Sequence, residues 1–349
     1  MTTKEALKIA EENLKGSKLS ASKLEKVKKV YAKNIKYWAD RSESTLIRAE
    51  QLGLEVEKRI KKQYQKSITR IEKESAETYG KYLGEEISYS EIQKKLTREE
   101  LKQFRDSVNE YYELAKRDDT KELIETIKEL STKTKITRLE ALKDNIDIEI
   151  KALRANSNNE LTNVLYNVGE NVYKDVSKDL VENEIIDSFS KVSSAGVKKL
   201  VESSYSSKYI MNTDLINDKL SRILPKAFIT GEGVKALTKE VVRELDIDYR
   251  KSQRIVRTEI NRAANSVTLD RLKQNGVEKF IFIATLDNRT SDICREFNGK
   301  IFNVADGIQG VNIPALHPNC RSTVAAYFEP KDYTVIIEDE EELKRLGII

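Results

Sequence analysis

The sequence predicts a mainly α-helical N-terminal region of long helices, followed by a small α+β domain with a short, mostly antiparallel sheet. Residues 1 to about 200 carry helix-type apolar spacing and no proline, since all four prolines lie at position 225 or later. Short β-branched and aromatic runs bounded by turn residues follow Gly276. Hydrophobic residues make up 39% and charged residues 34%, which suits helices with a narrow apolar stripe and predicts an elongated shape.

Two capping motifs and one apolar stripe support the prediction of long helices in the N-terminal region. Thr97 with Glu100, and Thr137 with Glu140, have the spacing of a capping box, in which each residue bonds the other's backbone N–H. Each pair therefore predicts a helix start. Five apolar residues recur at three- and four-residue steps and predict one buried helix face: Leu139, Leu142, Ile146, Ile150 and Leu153.

The single tryptophan, Trp38, lies in the segment KYWADR. We expect it to be a packed aromatic anchor at a helix contact, with a partner-binding hot spot as the alternative. The 15 tyrosines are expected at the borders of helix stripes, where the ring is packed and the hydroxyl reaches water.

The C-terminal part changes from helical to strand-type patterning. Residues 229–276 are expected to form two helices separated by DIDYRKS, with Gly276 capping the second. The runs KFIFIATLD, KIFNV, STVAAYF and YTVIIED are predicted strands. The predicted divisions are 1–224 for the elongated helical region, 225–330 for the α+β domain, and 331–349 for a C-terminal strand and acidic tail.

Charge and hydropathy narrow the class of protein. Lys and Arg total 62 against 58 for Asp and Glu, so the net charge of +4 alone does not indicate a nucleic-acid binder. Lysine-rich helix faces such as KLEKVKKVYAKNIK are still candidates for non-specific contact with DNA. No apolar run approaches the roughly 20 residues that a membrane span needs, and the start shows no signal-peptide core. We therefore expect a protein made in the cytoplasm that requires no membrane.

The only histidine and both cysteines fall near the predicted strands. Cys294 lies between the first two strands, whereas His317 and Cys320 lie in the loop before the third. Pairing of the strands would bring the three side chains together, as a zinc site requires, with Asp287 or Asp292 as a fourth ligand. A disulfide or close thiol pair between the cysteines, and cysteines that are merely packed, are the alternatives that the spacing leaves open.

The motif inventory predicts that the protein is not an enzyme and has no catalytic residue. A cysteine nucleophile paired with His317 is conceivable, but the tight HPNC loop does not require the two side chains to face each other. The sequence contains no P-loop, no G-x-S-x-G and no H-E-x-x-H motif. Six charged or polar residues are predicted to hold the fold, through pairs such as Asp287 with Arg289 or Arg321, or Arg257 with Glu259: Arg257, Glu259, Asp287, Arg289, Asn319 and Arg321.

Three sequence blocks carry a family resemblance. RTEINRAANSV, ATLDNRTSDICREFNGKIF and PALHPNCRSTV, in this order, resemble the phage head morphogenesis family of Mu F-like minor capsid proteins over residues 225–330. The helical half with YWADR is similar, more weakly, to the N-terminal part of minor capsid proteins from siphophages of Gram-positive hosts.

The cysteine pattern departs from that family. Its blocks commonly read R-T-C-x-x-C and H-P-N-C-R-C, whereas this chain has Ser291 and Ser322 at one cysteine position of each block. The loss of one cysteine per block implies that the blocks touch and that the thiols act as a pair or as a shared metal cluster. It also leaves a zinc site short of ligands.

The resemblance implies a minor capsid or head morphogenesis protein of a tailed bacteriophage. Such a structural protein would lie inside the head of the virion near the portal vertex, after assembly in the host cytoplasm. The implied partners are the portal, scaffold or capsid protein, further copies of the chain and non-specifically bound double-stranded DNA, with which it could be ejected. The alternatives are a toxin-like enzyme, either a nuclease or a nucleotidyl-modifying domain, and a small metal-binding interaction module.

Overall fold

The computed structural model describes residues 1–82, 89–118, 121–185, 188, 194–204, 219, 222–223, 234–329, 338, 340–345 and 347–348. Its helical part confirms the predicted fold class. The described helices before the sheet are α1 Thr3–Asn13, α2 Ala21–Tyr82, α3 Tyr89–Ile92, α4 Arg98–Asp118, α5 Lys121–Thr132, α6 Arg138–Glu182, α7 Ser194–Ser204 and α8 Val234–Gln274.

Both predicted capping boxes form. The N–H of Thr97 donates to Glu100 Oε2 at 2.8 Å, and the N–H of Glu100 donates to Thr97 Oγ1 at 3.2 Å. The same reciprocal bonds join Thr137 and Glu140 at 2.6 and 3.2 Å. Helices α4 and α6 begin at the residue after each cap. The five residues of the predicted α6 stripe are each at most 5% exposed, which confirms that face as buried.

Helix α8 is continuous, so the prediction of two helices separated by DIDYRKS is wrong. That segment holds no glycine or proline to end a helix. Its polar residues are satisfied within the fold: the Tyr64 hydroxyl donates to Asp248 Oδ2 at 2.7 Å, and the Ser252 hydroxyl donates to the Asp248 carbonyl at 3.0 Å. Polarity here reflects a buried hydrogen-bond network and not a turn.

The end of α8 is the predicted glycine cap. Gly276 has φ +70°, and the N–H of Val277 donates back to the Leu272 carbonyl at 3.0 Å. This bond across the last turn, with a left-handed glycine, is the Schellman arrangement. The helix therefore ends in a tight turn, and the first strand of the sheet begins at Lys279.

The sheet has three antiparallel strands in the order β2-β1-β3. They are β1 Lys279–Ile283, β2 Ile301–Asn303 and β3 Thr323–Tyr327, and helix α9 Asp292–Phe297 lies between β1 and β2. Three of the four predicted strands are thus confirmed, while nearly all of YTVIIED lies outside the described residues. A short helix, α10 Glu340–Arg345, forms in the acidic tail.

The chain forms two compact units, and neither is one continuous segment. The first unit comprises Met1–Leu54, Val164–Ser206 and Arg257–Ile349, and the second comprises Glu55–Asn163 and Ser207–Val256. The predicted boundaries at 224/225 and 330/331 both lie outside the described residues and stay predictions. The sheet, α9 and the candidate site all belong to the first unit.

The predicted burial of Trp38 is confirmed within the first unit. Its side chain is 3% exposed, and its ring centroid lies 5.6 Å from that of Phe328, directly after β3. The only tryptophan of the chain therefore reports on the packing of α2 beside the sheet. In the described part of the chain, no helix combines the length and apolar character needed to cross a membrane.

Candidate functional site

The D-N-R-T turn after β1 is closed by its own side chains. The N–H of Asp287 donates to Thr290 Oγ1 at 2.7 Å, and the N–H of Arg289 donates to Asp287 Oδ1 at 2.8 Å. The Thr290 hydroxyl donates to the Thr285 carbonyl at 2.5 Å. Because these short polar side chains satisfy the backbone locally, the turn holds its shape at the surface.

Helix α9 continues directly from this turn. Its N-cap is Ser291, whose hydroxyl accepts a hydrogen bond from the N–H of Cys294 at 3.4 Å. Serine is a favoured N-cap because its oxygen satisfies an unpaired N–H of the first turn. The cap fixes Cys294 on the inner side of that turn, where it is 2% exposed.

The H-P-N-C loop is held from α8. Asn319 lies in the left-handed region with φ +59°, which asparagine tolerates better than most residues. Its backbone N–H donates to Thr258 Oγ1 at 3.0 Å. The threonine of the R-T-E block therefore anchors the tightest point of the loop.

Two asparagines of α8 hold the chain that leaves the loop. Asn261 Nδ2 donates to the Ser322 carbonyl at 2.9 Å. Asn265 Oδ1 accepts from the N–H of Val324 at 3.0 Å and from the Thr323 hydroxyl at 3.1 Å. Both asparagine side chains are buried. They satisfy backbone groups that would otherwise be buried without partners.

A bidentate ion pair joins the turn to the loop. The two terminal nitrogens of Arg321 lie 2.8 and 2.7 Å from the two carboxylate oxygens of Asp287. The guanidinium, followed by the N–H of Arg289, lowers the pKa of Asp287 below its usual value. The Arg321 pairing was predicted as buried, but Asp287 is 34% exposed, so the pair is partly solvated. Arg289 also pairs with Asp287, since its Nη2 lies 3.6 Å from Oδ2, but the Arg289 side chain is 75% exposed.

The other predicted pair involves the buried carboxylate of Glu259, which is 2% exposed. The structure places Arg262 Nε 3.8 Å from Glu259 Oε2. Arg257 is exposed on the same helix. The Arg257 pairing with Glu259 stays a prediction.

The two loops bring the lone histidine and both cysteines together. Cys294 Sγ lies 3.2 Å from His317 Nε2 and 3.8 Å from Cys320 Sγ. All three ligand atoms lie within 4.8 Å of one another, and both cysteines are free thiols. The Ser291 hydroxyl lies 2.8 Å from His317 Nε2. We call Cys294, His317 and Cys320 the thiol–imidazole cluster.

The predicted fourth ligands lie apart from this cluster. In the described part of the chain, no carboxylate joins the three residues within that distance. Asp287 is bound by Arg321, and Asp292 is an exposed residue of the first turn of α9. The Ser291 hydroxyl, and neither aspartate, lies within hydrogen-bond distance of His317 Nε2.

The protonation of the cluster follows from its hydrogen bonds. Because the Pro318 carbonyl only accepts, the 2.9 Å contact from His317 Nδ1 places the proton of a neutral imidazole on Nδ1. The lone pair of Nε2 then points into the cluster. The hydrogen bond from the Cys320 thiol lowers the pKa of Cys294, while the same bond and burial raise the pKa of Cys320.

Sequence reasoning missed the three helix residues that position the loop. Thr258, Asn261 and Asn265 are spaced by three and four residues, which places them on one face of α8. All three are buried. Polar side chains at helical spacing between apolar neighbours were the signal that could have identified them.

The fold and the site define an α+β module in which a long helix and a three-stranded sheet hold two loops against each other around a thiol–imidazole cluster. Residues 218–325 match the family described as phage Mu protein F like protein. This match confirms the resemblance predicted from the three sequence blocks and supports the Mu F-like head morphogenesis family. No curated protein and no solved structure matches the chain at a significant level. The family suggests a phage head morphogenesis protein with a virion location.

Proposed function

We propose that this protein is a minor capsid protein of a tailed bacteriophage that acts in head morphogenesis, inside the head and near the portal vertex. The observation that carries the proposal is the family match over residues 218–325, which covers α8, β1, β2, the first part of β3 and both loops of the site. The remaining helices then supply surfaces for the portal, scaffold or capsid protein, or for other copies of the chain.

A structural and non-enzymatic role agrees with how the motif residues are used. Thr258 and Asn261 hold the backbone of the loop, and Arg321 binds Asp287 across the two loops. Each of these side chains holds one segment of the chain to another. The polar motif residues thus account for the shape of the module without a substrate.

We propose further that one face of α2 contacts packaged DNA. Lys26, Lys29 and Lys33 are spaced by three and four residues, and Lys29 and Lys33 are exposed. The opposite side of the same segment is buried through Tyr31 and Ile35. This arrangement gives a basic helix face supported by a packed apolar face. Such a face binds phosphates without regard to base sequence, so its affinity falls as salt rises.

The DNA proposal is tested by titrating the full chain into labelled double-stranded DNA at several salt concentrations. Replacing Lys26, Lys29 and Lys33 with glutamine should reduce the slope of log affinity against log salt by up to about 0.9 for each phosphate that is no longer neutralised. Glutamine keeps a helix propensity close to that of lysine, so the helix should persist.

A matched control uses other exposed lysines of the same helix. The triple replacement of Lys58, Lys62 and Lys66 with glutamine removes the same charge from a face with four-residue spacing. This control should leave the slope near that of the unchanged chain. Equal reductions in both triple variants, or affinity that does not change with salt, would contradict a DNA-binding face at Lys26, Lys29 and Lys33.

The virion proposal is tested by quantitative peptide mass spectrometry on gradient-purified, nuclease-treated particles. We expect a small, fixed copy number in both empty proheads and DNA-filled heads, with protection from external protease. Cross-linking should recover portal peptides, and loss of the protein from particles after DNA release would support ejection. Absence of the chain from both kinds of particle would overturn the proposal.

A further inference from the structure

We propose that the thiol–imidazole cluster is a zinc site, with Cys294 Sγ, His317 Nε2 and Cys320 Sγ as ligands and a fourth position that faces the Ser291 hydroxyl. The proposal goes beyond the virion role and does not depend on it. Both cysteines are 2% exposed. Cys294 Sγ contacts both Cys320 Sγ and His317 Nε2, and the three ligand atoms lie within 4.8 Å of one another.

The spacing of the ligand atoms suits a tetrahedral ion. Two sulfurs each about 2.3 Å from a tetrahedral zinc lie about 3.8 Å apart, and a sulfur and an imidazole nitrogen lie about 3.6 Å apart. The observed separations are 3.8 Å between the two sulfurs and 3.2 Å between Cys294 Sγ and His317 Nε2. These two separations differ from the tetrahedral values by at most about 0.4 Å. The third pair, Cys320 and His317, also has its ligand atoms within 4.8 Å of each other.

The histidine is oriented as a metal ligand. The Pro318 carbonyl accepts from Nδ1, which leaves the lone pair of Nε2 available to the Ser291 hydroxyl at 2.8 Å and the Cys294 thiol at 3.2 Å. A carbonyl partner on the far nitrogen is the usual way in which proteins orient a metal-bound imidazole. Together with the two sulfurs, this gives three electron-pair donors within 4.8 Å of one another.

The loops that carry the ligands are held without the metal. Thr258 and Asn261 bind the H-P-N-C loop from α8, and Arg321 ties it to Asp287 at the start of the other loop. A site that is shaped in advance loses less conformational freedom on binding. The cluster should therefore bind zinc without a change in fold.

Ser291 marks the fourth position. Its hydroxyl lies 2.8 Å from His317 Nε2 and accepts from the N–H of Cys294, so it borders two of the three ligands. A hydroxyl is a weaker zinc ligand than a thiolate. A thiol at this position should complete a Cys₃His set and tighten binding.

The test measures metal in the full chain, purified with reductant and incubated with zinc or cobalt alone. We expect one zinc per chain by elemental analysis. Cobalt in its place should give a sulfur-to-metal charge-transfer band and the visible spectrum of a tetrahedral ion. Both thiols bind as thiolates, so zinc addition should also release protons from the protein.

Variants locate the site. Removal of a residue that only hydrogen-bonds to a metal ligand weakens metal binding about 10- to 100-fold. Cys294→Ser and His317→Ala each remove a ligand itself, so each should weaken zinc binding by more than this. Ser291→Cys should tighten binding at least tenfold, and Ser291 is not itself needed for the three-ligand set. Ser44→Cys, an added thiol on an exposed part of α2, is the matched control and should leave the affinity unchanged.

Other outcomes would overturn the proposal. Zinc content in the unchanged chain no higher than in Cys294→Ser would do so, as would an octahedral cobalt spectrum. A chain that takes up no metal and has a mass lower by the two thiol hydrogens would show a disulfide in place of the site. Ser291→Cys removes no ligand, so it keeps the test decisive if Cys294→Ser or His317→Ala fails to fold.

Discussion

Replacement of Asn265 with alanine should destabilise the first unit strongly. The side chain is fully buried, and its Oδ1 is the acceptor for the N–H of Val324 and the hydroxyl of Thr323. Alanine would leave both buried donors without this acceptor. Each unsatisfied buried group costs about 1–3 kcal/mol, so for two groups we expect a decrease of about 2–6 kcal/mol in the free energy of unfolding.

The assay is urea unfolding followed by the fluorescence of Trp38, which packs on Phe328 at the end of the strand that Asn265 supports. The matched control is Ser266→Ala, one residue further along α8, where a partly exposed hydroxyl donates to Gln309 at 2.7 Å. That change should cost about 0.5–1.5 kcal/mol. A decrease below about 1 kcal/mol for Asn265→Ala, or one equal to the control, would refute the role given to the asparagine.

Two further predictions concern the same unit. The folded state holds the pKa of Asp287 below its ordinary value of 3.8. The ionised carboxylate therefore stabilises the protein fully above about pH 3.8, and this stabilisation is lost as the pH falls below 3.8 towards the pKa of the folded state. The difference in unfolding free energy between the unchanged chain and Asp287→Asn should thus shrink below that pH; a difference that does not vary with pH would contradict the Arg321 pairing. A Cβ added at Gly53 would overlap Ile260 Cδ1, so Gly53→Ala should cost about 1–3 kcal/mol by denaturant unfolding. Ile260→Val removes that atom, so the double variant should lose less stability than the sum of the single variants, and strict additivity would argue against the contact.

Local signals in the sequence predicted local structure well. The capping boxes at Thr97 and Thr137 depend on residues three positions apart, and the glycine cap at Gly276 depends on one residue. The strands were recognisable because β-branched and aromatic runs were bounded by turn residues. In each case the determining interactions lie within a few residues along the chain.

Long-range contacts explain what the sequence could not predict. Asp248 belongs to a polar segment that resembled a turn, but its carboxylate accepts from Tyr64, 184 residues away. The composition of the two units depends equally on contacts between distant segments. Single-sequence periodicity carries no information about such pairings.

The candidate site was predicted in part. The convergence of Cys294, His317 and Cys320 followed from the order of strands and loops, and the structure brings the three together. Spacing along the sequence could not predict that Ser291 contacts the imidazole of His317, because this contact depends on how α9 is capped. A short serine that caps a helix looks structural in sequence, although here it also borders the cluster.

Helix α8 fixes the path of the H-P-N-C loop through residues that are not part of the thiol–imidazole cluster. Since Thr258, Asn261 and Asn265 set the course of the backbone, exchanging serine for cysteine at 291 or 322 need not alter the path of either loop. One scaffold can therefore carry two, three or four thiols. Metal affinity and redox behaviour can diverge between proteins built on this module while the fold stays the same, and the module offers a fixed frame on which such sites can be engineered.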